Sequence, residues 1–157
     1  MISISLDTAA RLLGQTKRHI RRRIAEGSLV KVNSSDVHGR THIPFDAIRM
    51  DIGYPLTDED ISAIVQADTG DPVAQQEVAL FFLEFGDTER ALIWLQMSAL
   101  SGCADAMLML GECYIEGLAM PGNGMPAIQW IERAAETGMM LAVGTLAALK
   151  WRVEFSG

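Results

Sequence analysis

A chain of 157 residues has room for one ordinary domain or two small ones. Its 49% hydrophobic and 21% charged residues describe a folded chain and exclude a disordered one; no apolar run approaches the roughly 20 residues that a membrane-spanning helix requires. The net charge of −7 hides a division, because residues up to 50 hold nine basic and four acidic side chains, a balance of +5, whereas the rest hold four and sixteen, a balance of −12. Such asymmetry points to a nucleic-acid-binding part joined to something else.

The N-terminal stretch, Met1 to Leu13, lacks a basic start followed by an apolar core, so no signal peptide is expected and the cytoplasm is the expected location. Ser5 can cap a short helix with apolar positions at Leu6, Ala9, Ala10, Leu12 and Leu13, ended by Gly14. Gln15 stands in the turn, and Thr16 caps a second helix from about Lys17 to Glu26, with Gly27 in the position that closes helices. The alternation of Leu29-Val30-Lys31-Val32 predicts a strand, Asn33 to Asp36 and His38-Gly39 a loop, and Arg40 to Ile43 a return strand. Pro44 then opens a short helix from Phe45 through Ile48 to Met50.

The order helix, turn, helix, hairpin, helix resembles the winged helix-turn-helix of the MerR and excisionase families. It is carried by Ala9-Ala10-Arg11-Leu12-Leu13-Gly14, Lys17-Arg18-His19-Ile20, Ile24-Ala25-Glu26-Gly27-Ser28-Leu29 and Arg40-Thr41-His42-Ile43-Pro44. Gln15 stands where these families usually have a small apolar residue, and Arg23 where they often have a large one. Independently of the resemblance, Lys17, Arg18, Arg21 and Arg22 populate one broad helical face. Arginine can bind guanine in bidentate fashion, and Gln15 and Thr16 suit phosphate or adenine contacts. Lys31, Ser34, His38 and Arg40 fall on the expected wing, near a neighbouring phosphate backbone. The arginine run reads either as a recognition helix on double-stranded DNA or as a solvated face; its position and the charge contrast favour the first. A single small DNA-binding unit buries little surface, so a homodimer or cooperative binding is expected.

Asp51 to Pro55 reads as a linker. Thr57-Asp58-Glu59-Asp60 opens a helix with an acidic first turn, whose apolar face, Ile61, Ile64 and Val65, either covers the first end of a downstream helical stack or forms a dimer contact. From Asp71 to Lys150 the chain repeats itself. Ala91 and Ala127, Trp94 and Trp130, Ala99 and Ala135, Gly102 and Gly138, and Ala106 and Ala142 are all separated by the same 36 residues. A period in the 30s with small residues at helical spacing signals stacked helix pairs. Ala106, Met107, Leu110 and Tyr114 form one apolar stripe, Gly117 ends that helix, and Met120 to Gly124 is a loop by composition. The paired helix starts near Pro126, turns Ile128, Ile131, Ala134 and Ala135 inward, and stops at Gly138. Met139 to Phe155 reads as one closing helix. Trp94 and Trp130 read as core rather than as a ligand box.

The pattern Asp105-Ala106, Leu110-Gly111, Tyr114, Gly117, Ala127, Trp130, Ala134-Ala135, Gly138 resembles a Sel1-like repeat, a short TPR-related helix pair. The first unit departs from it, with Phe85-Gly86-Asp87 as a short connection and Leu80-Phe81-Phe82 where Leu-Gly and Tyr usually stand. The resemblance implies binding to a protein partner and no chemistry of its own.

No Ser-His-Asp arrangement, phosphate loop or dinucleotide fingerprint is present. His38 and His42 lie across the expected hairpin without a third metal ligand. Cys103 and Cys113 would lie about 15 Å apart along a helix, too far for a disulfide. The expectation is thus a mostly α protein, neither an enzyme nor a cofactor or metal binder, with a winged helix-turn-helix at 1–50, a linker at 51–56 and a helical repeat stack (α-solenoid) at 57–157. Its expected role is a DNA-binding regulator or excisionase-type factor. The alternative is an adaptor that binds only proteins, its helix-turn-helix repurposed.

Overall fold

Ser5 ends the first strand and caps the first helix. In the computed structural model, which describes residues 1–32, 39–118 and 126–156, its hydroxyl accepts the Thr8 amide at 3.2 Å. Strand β1 (Ser3–Ser5) leads into α1 (Leu6–Leu13), and Gly14, at φ 61°, takes the left-handed conformation that closes it. Thr16 caps α2 (Lys17–Ala25) by accepting the His19 amide. The helix boundaries fall within a residue or so of those the sequence predicts.

The expected wing hairpin is corrected. Leu29 to Val32 form no strand; Leu29 turns inward, 3% exposed, and its amide bonds back to the Arg23 carbonyl. A hydrogen bond from the Val32 amide to the His42 carbonyl links the two predicted arms. Strand β2 (His42–Pro44) pairs antiparallel with β1, placing Ile4 against Ile43, both fully buried. Burying two isoleucines outweighs a local hairpin whose Val30 is 66% exposed. The tip expected at Asn33 to His38 lies outside the described residues. The short helix expected from Phe45 to Met50 is two 3₁₀ turns, Phe45–Ala47 and Arg49–Ile52, which bury Phe45, Ile48 and Ile52.

Thr57 and Asp60 form a reciprocal capping box at the start of α3 (Asp58–Asp68). Beyond it come α4 (Pro72–Glu84), α5 (Thr88–Leu100), α6 (Ala104–Ile115), α7 (Ala127–Glu136) and α8 (Met140–Phe155). Each helix packs on the next, with α3 covering α4 at the first end of the stack. Gly70, Gly102 and Gly138, at φ 98°, 98° and 88°, turn the chain into α4, α6 and α8 at equivalent points. Only glycine occupies that conformation without strain.

The repeat core is built from the residues that recur. Ala74, Ala106 and Ala142 are each at most 2% exposed, and Trp94 and Trp130 are fully buried, as the spacing predicts. Gly111 marks a close helix approach: a Cβ there would lie 2.6 Å from Ile131 Cγ1 and 2.9 Å from the Ala127 carbonyl oxygen. Cys103 and Cys113 are free, buried thiols. At the far end, α8 buries Ala142 alone, and its outer face is apolar rather than polar. Among the described residues, no helix is long and apolar enough to cross a membrane.

Candidate interaction surfaces

The nine residues of α2 include Lys17, Arg18, Arg21, Arg22 and Arg23 and no acidic residue. Ile20 is the buried anchor, and Lys17, Arg18, Arg21 and Arg22 are exposed. Lys17 and Arg21 border a hollow shared with Asp7, Arg40 and Thr41. Arg18 and Arg22 border another with Thr16 and His19. The helix thus presents two adjoining basic stripes. Lys17 pairs with Asp7 at 2.8 Å, and Arg22 reaches Glu26 at 3.6 Å, both ion pairs well exposed. Lys31 is exposed beside the chain's return to β2. Thr16 is committed to its cap, and Gln15 is half-buried, with its side-chain oxygen enclosed and unpartnered among the described residues. Ser34 and His38 lie outside the described residues.

Arg23, which departs from the winged-helix pattern, has a structural partner: its guanidinium meets the Asp51 carboxylate at 2.7 Å. It fastens the end of α2 to residues leading into the repeats. Tyr54 stacks on Phe85, ring centroids 4.6 Å apart, and donates a hydrogen bond to Asp87 at 3.0 Å.

A second fastening centres on Arg90, which the sequence does not single out. From the first turn of α5, its guanidinium donates to the carbonyls of Leu12 at 2.8 Å and Ile52 at 2.9 Å and to the Asp87 carboxylate at 2.7 Å. It also lies over the rings of Tyr54 and Phe82, at 5.0 and 4.7 Å. Both ion-pair side chains are 16% exposed. Burial alone would push the Asp87 carboxyl up. The hydrogen bonds from Arg90 and Tyr54, with the Arg90 charge, prevail and hold it below its ordinary 3.8. A third tie joins Asp68, at the end of α3, to the amide and hydroxyl of Ser5. The one available signal was that Arg90 is one of only four cations in the acidic part of the chain.

Between α3 and α4 lies a cleft of about 200 Å³. It is lined by Ala63, Ile64, Val78 and Phe81 together with Glu59, Glu77 and Asp60, whose carboxylate is held in the capping box. An apolar floor beneath an anionic rim suits a side chain with an aliphatic stem and a cationic head. In α6, burial and the nearby Glu116 and Glu112 push the Cys113 thiol up, which makes it a poor nucleophile.

The helix pairs α4–α5 and α6–α7 define a short helical-repeat stack. Residues 72–103 and 104–139 match the family model of the Sel1 repeat. Two Sel1 repeats therefore occupy residues 72–139, and they mark a helical-repeat protein-interaction domain. No curated protein and no solved structure matches the chain.

Proposed function

We propose that the chain is a non-catalytic adaptor that holds a protein partner on its Sel1 stack, with the N-terminal helices fixed to the first repeat as part of one body. The observation that carries this reading is the pair of Sel1 repeats at 72–139. Support for a fixed body comes from Arg90 and Asp68, which reach from the repeat side to the N-terminal side through short polar contacts, and from Arg23, which holds α2 to Asp51 in the segment before the repeats. Partner chemistry is suggested by the cleft between α3 and α4: a peptide presenting Lys or Arg beside an apolar residue fits its carboxylate rim and apolar floor. An array of short peptides probed with the full chain tests this. Enrichment of basic-apolar sequences, lost on combining Glu59→Lys with Glu77→Lys, supports the reading. Binding indifferent to those changes overturns the assignment of the cleft.

A second reading rests on the charge of α2. Four exposed cations, Lys17, Arg18, Arg21 and Arg22, on a nine-residue helix without an acid favour contact with the phosphates of double-stranded DNA. Arg18, Arg21, Arg22 and Lys17 would make the principal contacts, Gln15 and Thr16 flank the helix start, Arg40 borders the same hollow as Lys17 and Arg21, Lys31 is exposed, and Ser34 and His38 fall outside the described residues. The acidic stack would have to face away from the duplex. Retention of random duplex DNA at low salt, falling steeply as salt rises, supports this reading; no retention at low salt removes it.

A further inference from the structure

Helix α8 carries an apolar stripe on the side turned away from the stack. Its inner face is Ala142, fully buried, with Leu146 and Leu149 packed against the core. On the opposite side Met140, Gly144, Ala147, Ala148, Trp151 and Phe155 recur at steps of three and four, the spacing of one helical face. All are exposed, Met140 at 79%, Trp151 at 65% and Phe155 at 67%. Of the helix's charged residues, Lys150 and Arg152 fall outside the stripe and Glu154 borders it.

The repeats themselves show what such a face receives. In each complete pair the first helix is covered by the second, α4 by α5 and α6 by α7. The α6–α7 contact is tight at Gly111, which leaves no room for a side chain. Ala147 stands 36 residues after Gly111, at the equivalent point of α8, and is exposed. The geometry therefore continues an interface already built twice in the molecule, with the covering helix not supplied by the described residues.

We propose that the covering helix is α8 of a second copy of this chain, packed antiparallel about a two-fold axis near Ala147 and Ala148. The stripe is self-complementary about that point. Small residues occupy its centre and large ones its ends. The two-fold places Trp151 of one copy over Gly144 of the other, and Phe155 over Met140, each contact made twice. Gly144 has room for the ring, since a Cβ there would meet nothing within 4 Å. Trp151 and Phe155 already lie against each other, centroids 5.2 Å apart, and form one ready-made knob. Two pairs of large aromatics with the methionines and small residues between them bury on the order of 1,000 Å². That lies at the low end for a stable complex, so the dimer dissociates on dilution. The carboxylates of the α3–α4 cleft lie at the other end of the stack and are not brought together by this contact.

Light scattering on the full chain across a dilution series tests the inference, which stands independently of the partner reading. The expected mass is twice 17.1 kDa at the concentrated end, falling to 17.1 kDa on dilution. Ala147→Glu, an exposed helical position, should leave the circular dichroism unchanged and give the monomer mass throughout. Glu59→Lys with Glu77→Lys should leave the dimer intact. As an independent check, Ala147→Cys should yield a disulfide-linked dimer on mild oxidation, because the native thiols are buried. A monomer mass at every concentration overturns the proposal and leaves the stripe to a different chain. A dimer that survives Ala147→Glu overturns it too.

Discussion

Arg90 gathers two backbone carbonyls from the N-terminal part, one carboxylate and two aromatic rings. Removing one member of a largely buried ion pair leaves the other charge uncompensated. Arg90→Ala should therefore cost about 3–5 kcal/mol of stability, read from the midpoint of a urea denaturation. A loss within error of zero would show that the N-terminal part does not depend on this contact. Asp87 supplies a pH signature. Its carboxyl is held below its ordinary 3.8 in the folded state, so the unfolded chain takes up a proton first. The stabilisation is thus present above about pH 3.8 and lost as pH falls through the lower folded value. In Asp87→Asn the fall in melting temperature below pH 4 should be shallower than in the unaltered chain. None of this was legible in the sequence, because a lone arginine in an acidic segment does not say which carbonyls it will meet 38 and 78 residues away.

At the scale of elements the sequence was more telling. Ser5 and Thr16 cap the helices their side chains predicted, and α3 opens at the acidic turn where it was expected, since helix starts are decided within four residues. The shared 36-residue spacing located the two tryptophans in the core. Trp130→Ala should destabilise the stack by about 3–5 kcal/mol, measured as a lowered melting midpoint; an unshifted midpoint would contradict its burial. The β pairing escaped prediction because β1 and β2 lie some forty residues apart. Alternation in Leu29 to Val32 suggested a nearer partner, whereas the buried Ile4–Ile43 pair determined the sheet. On α2 the basic face was legible, and the pairing of Arg23 with Asp51 was not. Arg18→Ala combined with Arg22→Ala should leave thermal stability unchanged, since both side chains are exposed. Under the DNA reading it should also weaken duplex binding, measured by titration at low salt. Unaltered affinity would place any DNA contact elsewhere.

For the whole molecule, the charge division visible in the composition becomes a division of surface. The N-terminal helices offer arginines and lysine, and the first face of the stack offers a carboxylate-rimmed apolar cleft. The two are tied by Arg23, Arg90 and Asp68 rather than strung on a free connector; Ile52 is 1% exposed, and Tyr54 stacks on the first repeat. The Sel1 repeats make protein recognition the central claim. Its most direct test is capture from cell extract on the immobilised full chain, with and without nuclease, in parallel with the Glu59→Lys, Glu77→Lys variant. The account predicts a protein retained by the unaltered chain, resistant to nuclease and lost from the variant. Retention that disappears with nuclease, or that is the same on both chains, would contradict it.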